Sequence, residues 1–418
     1  MTVKEEQDKP ELGCERIRSM RLMLNNRMAI ESKTASEIVI FDFDTNARFK
    51  LTAALYDLIC RFKTPACVGD VISQYSIGEH LAGVIAKLME KGVLVEENRF
   101  QSHKEIKLAA NSQTLFNSPR GHKGTTAHVS VVGIPFDLGN TVAAGARGGP
   151  DSIRTCSHQY DYRLDFLSGR PVGWFDLDTE ERILEGVTFS DLGDLWFSHG
   201  ENPEKIFQRI ASICEDIILT GSFPLFLGGD HSVTFPIVES LQRRQPLNVI
   251  WFDAHNDLGK TSSDASHDHA NVARRILDLP NISKIVQIGL KGYTIYNELD
   301  LGGERVVSVT ASRLRNKGLA SILDLLPESE SFYISLDIDV LDPVYAPATS
   351  TPVPGGLTPE ELKSLSSIIG LNRDVIGLDL VEVNPEKDND NMTSRVACQL
   401  LLAAMGAIMK RRATGSHP

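Results

Sequence analysis

The stretch SFYISLDIDVLDP, residues 331–343, is an apolar, β-rich run that ends in a cluster of acids. Two other apolar runs end in the same way, FLGGDHS at residues 226–232 and WFDAHND at residues 251–257. In open α/β sheets ligands bind beyond the carboxyl ends of the strands, so three such endings point to one shared site. Around them short apolar runs alternate with helical ones. HVSVVGIPF, PEKIFQRIASICEDIIL, FPLFLGG, VTFPIVESLQRR, LNVIWFDAH, HANVARRILDL, KIVQIGL, TPEELKSLSSIIG, VIGLDLVEV and VACQLLLAAMGAIMKR follow one another. The alternation predicts an α/β fold whose mainly parallel sheet is covered by helices on both faces.

Asp253, His255 and Asp257 lie two residues apart, as do Asp337 and Asp339. If these segments are extended, each set points to one side of its strand. With His231 they make four carboxylates and two imidazoles that can converge. This oxygen-rich mixture suits Mn²⁺ and, less selectively, other divalent ions such as Ni²⁺. Taken singly, a D-x-D at a strand end is often a turn or a cap, and a buried histidine is often satisfied by backbone. Three clusters together in a metal-free fold would leave buried carboxylates uncompensated, which is costly.

The region before this sheet reads differently. IVIFDF, the turn residues Asp44, Thr45 and Asn46, and RFKL predict a hairpin from about Ile38. LTAALYDLICRF, ACVGDVISQY and GEHLAGVIAKLMEKG read as helices, the last with Leu81, Val84, Ile85 and Leu88 at helical spacing and Gly92 as its C-cap. VLVEEN follows as a short strand. Hairpin, three helices and strand make a small winged-helix α+β pattern over residues 1–100. The polar stretch 101–127 is expected to link it to a catalytic domain at 128–418. No internal repeat is visible.

Bulk properties narrow the function. A formal net charge of −12 opposes nonspecific attraction to nucleic acid and to anionic membranes. At 42% hydrophobic residues, no stretch reads as long and apolar enough to cross a bilayer. Cys14, Cys60, Cys67, Cys156, Cys214 and Cys398 are scattered without C-x-x-C spacing, which fits a reducing cytoplasm. The charged start MTVKEEQDKPELGCERIRSM lacks the apolar core of a secretory signal.

GGDHS, DAHND, SLDIDVLDPVYAPATSTPVPGGLTPEE and GLDLVEVNP resemble the signature blocks of the ureohydrolases, the arginase and agmatinase superfamily. GIPFDLGNTVAAGARGGPDSIR, residues 133–154, is similar to the block that opens that catalytic domain, so the likeness runs from His128 to Lys410. The resemblance implies an arginase-type three-layer fold and two Mn²⁺ ions. One would be held by His231, Asp253, Asp257 and Asp337, the other by Asp253, His255, Asp337 and Asp339, with Asp253 and Asp337 bridging. It implies hydrolysis of a guanidinium group by water activated between the ions, with release of urea. His269 matches the proton-shuttling histidine, with His267 a nearby competitor, and Glu382 matches the carboxylate that receives the guanidinium. Asp342 is implied to support the site from outside its ligands, and Thr349 to lie near the substrate. Similar enzymes form trimers and hexamers, which implies a homo-oligomer.

The chain also departs from the free-arginine pattern. Arginases resemble D-A-H-x-D-x-N and carry a serine shortly before the shuttle histidine, where Gly259 and Ala265 stand here. The usual glycine after that histidine is Ala270, and the acidic patch that holds an α-amino group is replaced by IGLKGYTIYNE. Loss of these polar partners predicts poor activity on free L-arginine. ARFKLTAALYDLI and LAGVIAKLMEKGVLVEE resemble the PqqD-like recognition element of enzymes that modify ribosomally made peptides. That resemblance implies capture of a leader peptide as an added β-strand. The reading is a peptide arginase, converting arginine side chains of a precursor peptide to ornithine and urea. The alternatives are a small-molecule amidinohydrolase acting on agmatine, a guanidino acid or guanidine, with the N-terminal domain as a cap, and a metal-binding pseudoenzyme that recognises peptides.

Overall fold

The computed structural model describes residues 17–24, 28–33, 38–42, 48–62, 65–75, 78–96, 108–109, 111, 113–122, 124–198, 200–259, 268–293, 297 and 301–414. The chain divides into two compact units, Met1–Glu105 and Ile106–Pro418.

The first unit carries β1 (Arg21–Leu24), β2 (Met28–Lys33), β3 (Ile38–Asp42) and β4 (Arg48–Leu51). After them come α1 (Ala53–Cys60), β5 (Ala66–Cys67), α2 (Val68–Ile72), α3 (Gly78–Glu90) and β6 (Leu94–Glu96). The expected hairpin is β3 paired with β4, and β2 extends it into an antiparallel meander. β1 joins β5 and β6 in a second small antiparallel sheet. Neither β1 nor β2 is anticipated from the sequence. Thr52 caps α1 by accepting from Leu55 N–H. The helices close over Leu22, Ile40, Leu58, Phe62, Ile85 and Leu94.

The second unit is built on nine strands. They are β7 (Leu108–Ala109), β8 (Val129–Gly133), β11 (Phe189–Leu195), β12 (Phe223–Leu227), β13 (Leu247–Phe252), β14 (Ile282–Leu290), β15 (Val306–Thr310), β16 (Ser331–Asp337) and β17 (Asp374–Val381). A separate hairpin pairs β9 (Trp174–Asp176) with β10 (Glu181–Ile183). In the main sheet the order is β15-β14-β13-β16-β17-β12-β8-β11-β7, parallel throughout except for the edge strand β7. Alternate residues face opposite layers. Leu247, Val249 and Trp251 enter one core with α5 (Pro203–Leu219), α6 (Thr234–Gln242) and α7 (Val272–Leu277). Ile250 and Phe252 enter the other, with α8 (Ala311–Lys317), α9 (Pro359–Asn372) and α10 (Met392–Thr414). Burial on both faces explains why these strands read as continuous apolar runs. This is an α/β fold with a mostly parallel central sheet covered by helices on both faces.

Two expectations are revised. α10, 23 residues long with a mean hydropathy of 1.4 over its most apolar stretch, is by length and composition enough to cross a membrane. Its apolarity has another cause: 72% of its most apolar window is buried, with Leu401, Met405 and Ile408 in the core shared with α9. Within the expected linker, β7 pairs with β11, and Leu115 and Phe116 are fully buried. A segment rich in polar residues can still anchor on a few buried ones.

Arg154, on α4 (Gly149–Ser157), is fully buried. Its Nε and Nη2 donate to Asp191 at 2.8 and 3.0 Å, and Nη1 to Asp194 at 2.5 Å. Asp191 in turn accepts from Leu115 N–H at 2.7 Å, so one ion pair joins α4, β11 and the segment before β8. Arg154→Met should therefore destabilise the second unit by about 3–5 kcal/mol in urea unfolding, because it strands a buried carboxylate. A change below about 1 kcal/mol would show that the pair does not hold the unit together.

Candidate metal centre

Four adjacent strands, β13, β16, β17 and β12, end level with one another, with Phe252 opposite Leu336, Leu336 opposite Leu380, and Leu380 opposite Leu227. Each delivers its acids and histidines just past that line. Asp253 follows β13, Asp337 closes β16, Glu382 follows β17, and His231 begins a 3₁₀ turn after β12. The glycines before His231 allow the chain to pass close by. A Cβ on Gly229 would lie 1.8 Å from Phe136 O, whose carbonyl accepts from Asp230 N–H at 2.7 Å.

The D-x-D segments are not extended strand, contrary to expectation. Asp337 caps the 3₁₀ turn Ile338–Val340 and accepts from Asp339 N–H at 2.8 Å. Asp253 accepts likewise from His255 N–H at 2.6 Å. Each first aspartate thus spends one carboxylate oxygen on turning the chain. The side chains still converge. His231 Nδ1 lies 3.2 Å from Asp253, 3.3 Å from Asp257 and 3.2 Å from Asp337. His255 Nδ1 lies 3.4 Å from Asp253 and 2.9 Å from Asp339. Two ligand groups result, His231 with Asp253 and Asp337, and Asp253 with His255 and Asp339. Asp253 belongs to both, whereas Asp337 belongs to the first alone.

The electrostatics identify what the cluster lacks. Burial, then Asp339 and Asp253, push the Asp337 carboxyl well above the usual range. Burial and the Asp253 charge push Asp257 up to about 7. Asp253 moves the other way: burial opposes its charge, but the close imidazoles of His231 and His255 lower it below the usual range. Burial would lower His255, yet Asp253 and Asp339 raise it to about 12. His231 Nδ1 is buried with no hydrogen-bond partner although three carboxylates face it. Converging hard oxygens and an imidazole nitrogen form the donor set of divalent cations, and His231, Asp253, His255, Asp257, Asp337 and Asp339 fit two of them.

Beside the cluster lies a cavity of about 700 Å³ whose wall includes Asp257, His269, Lys291, Tyr293, Thr351 and Glu382. Glu382 Oε1 accepts from His231 N–H at 2.9 Å and lies 3.1 Å from His269 Nδ1, while Oε2 is buried with no partner among the described residues. Burial would lower His269, but Glu382 raises it to about 9. Its Nε2 is 3.2 Å from Thr141 Oγ1. Thr349 is fully buried and is not among the residues lining the cavity; its N–H is tied back to Pro347 O, and Thr351 takes the place at the wall. Asp342 accepts from Val344 and Gly355 N–H, closing the loop after Asp339. His267 and Ala265 lie outside the described residues. At Gly259 a Cβ would approach Ala270 O to 2.8 Å, so this position, as packed, excludes a side chain.

Several neighbours escape sequence reasoning. Trp251 stacks on His231 at 4.0 Å between ring centroids and donates from Nε1 to Asp253 at 2.9 Å, orienting two ligands at once. Lys291 Nζ donates to the carbonyls of Asp339 and Leu341, both at 3.0 Å, and steadies the turn that carries Asp339. A usable signal existed for Asp379, an acid inside the otherwise apolar run VIGLDLV.

A profile of the Arginase family matches residues 127–406. The human mitochondrial guanidino acid hydrolase is 33% identical over 292 residues, covering 67% of this chain and 78% of that protein. The agmatinase of Chromobacterium violaceum is 34% identical over 285 residues, covering 65% and 82%. Among solved structures, proclavaminate amidino hydrolase from Streptomyces clavuligerus superposes with a TM-score of 0.62 at 27% identity, covering 72% of this chain and 98% of that one. Sequence, fold and the convergent acids and histidines agree: this chain is a hydrolase that belongs to the arginase family.

Proposed function

We propose that the chain hydrolyses the guanidino group of a small guanidino compound that lacks a free amino-acid head. The observation that carries this reading is Glu382, whose Oε2 is buried, unpartnered and in the cavity wall beside the metal-ligand cluster. A guanidinium offers paired N–H groups that match such a carboxylate. Two divalent ions, Mn²⁺ by donor preference, supply the Lewis acidity that makes water a nucleophile near neutral pH. His231, Asp253, Asp257 and Asp337 would hold one, and Asp253, His255 and Asp339 the other. Glu382 orients the guanidinium carbon. His269, held by Glu382 on one nitrogen and Thr141 on the other, delivers the proton that the leaving amine needs.

The relatives include an agmatinase and a guanidino acid hydrolase. Lys291 is the sole lysine or arginine among the described cavity residues, and its ammonium already serves backbone carbonyls. A substrate carboxylate therefore meets no uncommitted cation there, which favours a cationic or neutral tail such as that of agmatine.

A second reading, arginine side chains of a ribosomally made precursor peptide, is supported by the first unit. A groove of about 290 Å³ lies between β4 and α3, floored by Leu55, Val84 and Leu88 and rimmed by Arg48, Lys50, Lys87 and Lys91. In a chain of net charge −12 this local basic rim suits an extended acidic leader peptide.

The two readings separate when Mn²⁺-loaded protein is offered agmatine, 4-guanidinobutyrate, guanidine, free arginine and an arginine-containing precursor peptide with an acidic leader. Urea from agmatine supports the first. Turnover of the peptide alone, weakened about tenfold or more in KM by Lys87→Glu with Lys91→Glu, would replace it with the second. Free arginine should be turned over about 100-fold less efficiently than the best substrate, and efficient turnover would refute the head-group argument. Glu382→Gln should lower kcat/KM by at least about 100-fold, and His269→Ala should lower kcat by about 100-fold or more while metal content stays at the wild-type level. Metal loss in His269→Ala would contradict its role. Because burial and the neighbouring carboxylates push Asp257 up to about 7 and also raise Asp337 well above the usual carboxylate range, metal entry must expel protons. Affinity should rise between about pH 6 and 8, with proton release seen by calorimetry in buffers of different ionisation heat. Loading with no proton release would refute the cluster as the binding site.

A further inference from the structure

Behind His231, on the side away from the cavity, lies a chain of buried hydroxyls that the proposed reaction does not use. His231 Nε2 is 2.9 Å from Ser335 Oγ, and Ser335 Oγ donates to Asp379 Oδ1 at 2.7 Å. Asp379 Oδ2 accepts from Tyr333 O–H at 2.7 Å and from Thr234 Oγ1 at 2.8 Å. Asp379, Ser335, Thr234 and Tyr333 are all fully buried.

We propose that Asp379 is a positioning residue that acts through Ser335 to fix the tautomer and orientation of His231, so that Nδ1 presents a bare lone pair to the first metal ion. A hydroxyl has one proton to give. Tyr333, Thr234 and Ser335 each give theirs to the Asp379 carboxylate. Ser335 Oγ is then left only as an acceptor toward His231, so Nε2 must carry the imidazole proton. In a neutral ring this leaves Nδ1 without one, and Nδ1 is the atom that faces Asp253, Asp257 and Asp337. Burial raises the Asp379 carboxyl above its usual value, and His231 with the three hydroxyls offset this only in part. Tyr333, raised well above its usual value by burial and by Asp379, keeps its proton and remains a donor. Metal-ligating histidines usually give their second N–H to a carboxylate or carbonyl. Here a serine stands between the ring and the carboxylate. One buried acid on β17 thereby orders a ligand that enters from β12.

The inference rests on the metal reading above, and the test separates the two. Ser335→Ala, Asp379→Asn and Tyr333→Phe are compared with wild type for Mn²⁺ equivalents per chain, affinity by competition with a chromophoric chelator, and thermal midpoint in excess EDTA. Ser335→Ala removes the relay with little change in volume. It should weaken one of the two ions by about 10–100-fold and leave the other in place. Asp379→Asn should do the same. If Asp379→Asn fails to fold, Ser335→Ala decides. Tyr333→Phe removes one donor to Asp379 but keeps the Ser335 arm, so its affinity should stay within about threefold of wild type even if its thermal midpoint falls. Wild-type affinity in Ser335→Ala, or an equal loss in Tyr333→Phe, would overturn the relay and leave the network as scaffold. A wild-type protein that binds no metal would instead overturn the metal reading itself.

Discussion

The crowding of Asp253, Asp257, Asp337 and Asp339 at one buried point is the constraint on which the second unit depends. Like charges a few ångströms apart in a desolvated pocket oppose one another, and burial adds to the cost. The unit tolerates this because the sheet is rigid there. β13, β16, β17 and β12 are neighbours with aligned ends, covered on both faces by helices. Two of the acids also serve locally as caps, which fixes their carboxylates before any ion arrives. His231 and His255 offset part of the charge, and divalent ions held there would offset more.

Much of this was legible in the sequence because burial and strand ends leave strong marks. Continuous apolar runs reveal strands covered on both faces, and acids placed directly after them stand out. Local backbone geometry was not legible. Alternation in DAHND and DID suggests extended strand, but aspartates accept backbone N–H groups so readily that both segments turn. Hydrogen bonds across the sheet were equally hidden. Ser335 and Asp379 lie 44 residues apart and meet only because β16 and β17 pair in register, Ser335 opposite Asp379. Spacing offers no access to such a pair. Thr349 and Thr351 stand two residues apart on one loop, and a turn at Pro347 decides which one reaches the cavity. α10 shows the reverse error of composition, since a helix at the centre of a core is as apolar as one in a bilayer.

The proposed preference for a guanidino compound without an amino-acid head rests on what the described cavity residues omit. Gly259 has no room for a side chain, and Lys291 is occupied in holding the Asp339 turn. Both features strip the site of groups that would grip a zwitterionic head, while the ligands and Glu382 remain. The guanidinium end of the cavity is therefore general to the chemistry, and the far end is particular to this chain. That division lets one catalytic scaffold serve substrates with different tails.

Strain at the site supports the same division. Asp257 and Glu382 adopt φ of +48° and +65°, in the left-handed region that glycine occupies at little cost. A glycine at either position would relieve roughly 1–3 kcal/mol of backbone strain. It would also delete the carboxylate that faces His231 or the one that lines the cavity. Both conformations are held from outside: Arg274 N–H donates to Asp257 O at 3.2 Å, and Glu382 N–H donates to Gly229 O at 2.8 Å. These positions give up stability to aim a charge. The neighbouring turn at Gly229, which carries no charge, is built from the residue that fits its close approach. Gly229 is required there for close approach and not for a left-handed φ, whereas Asp257 and Glu382 keep a carboxylate in a conformation that glycine would adopt at less cost.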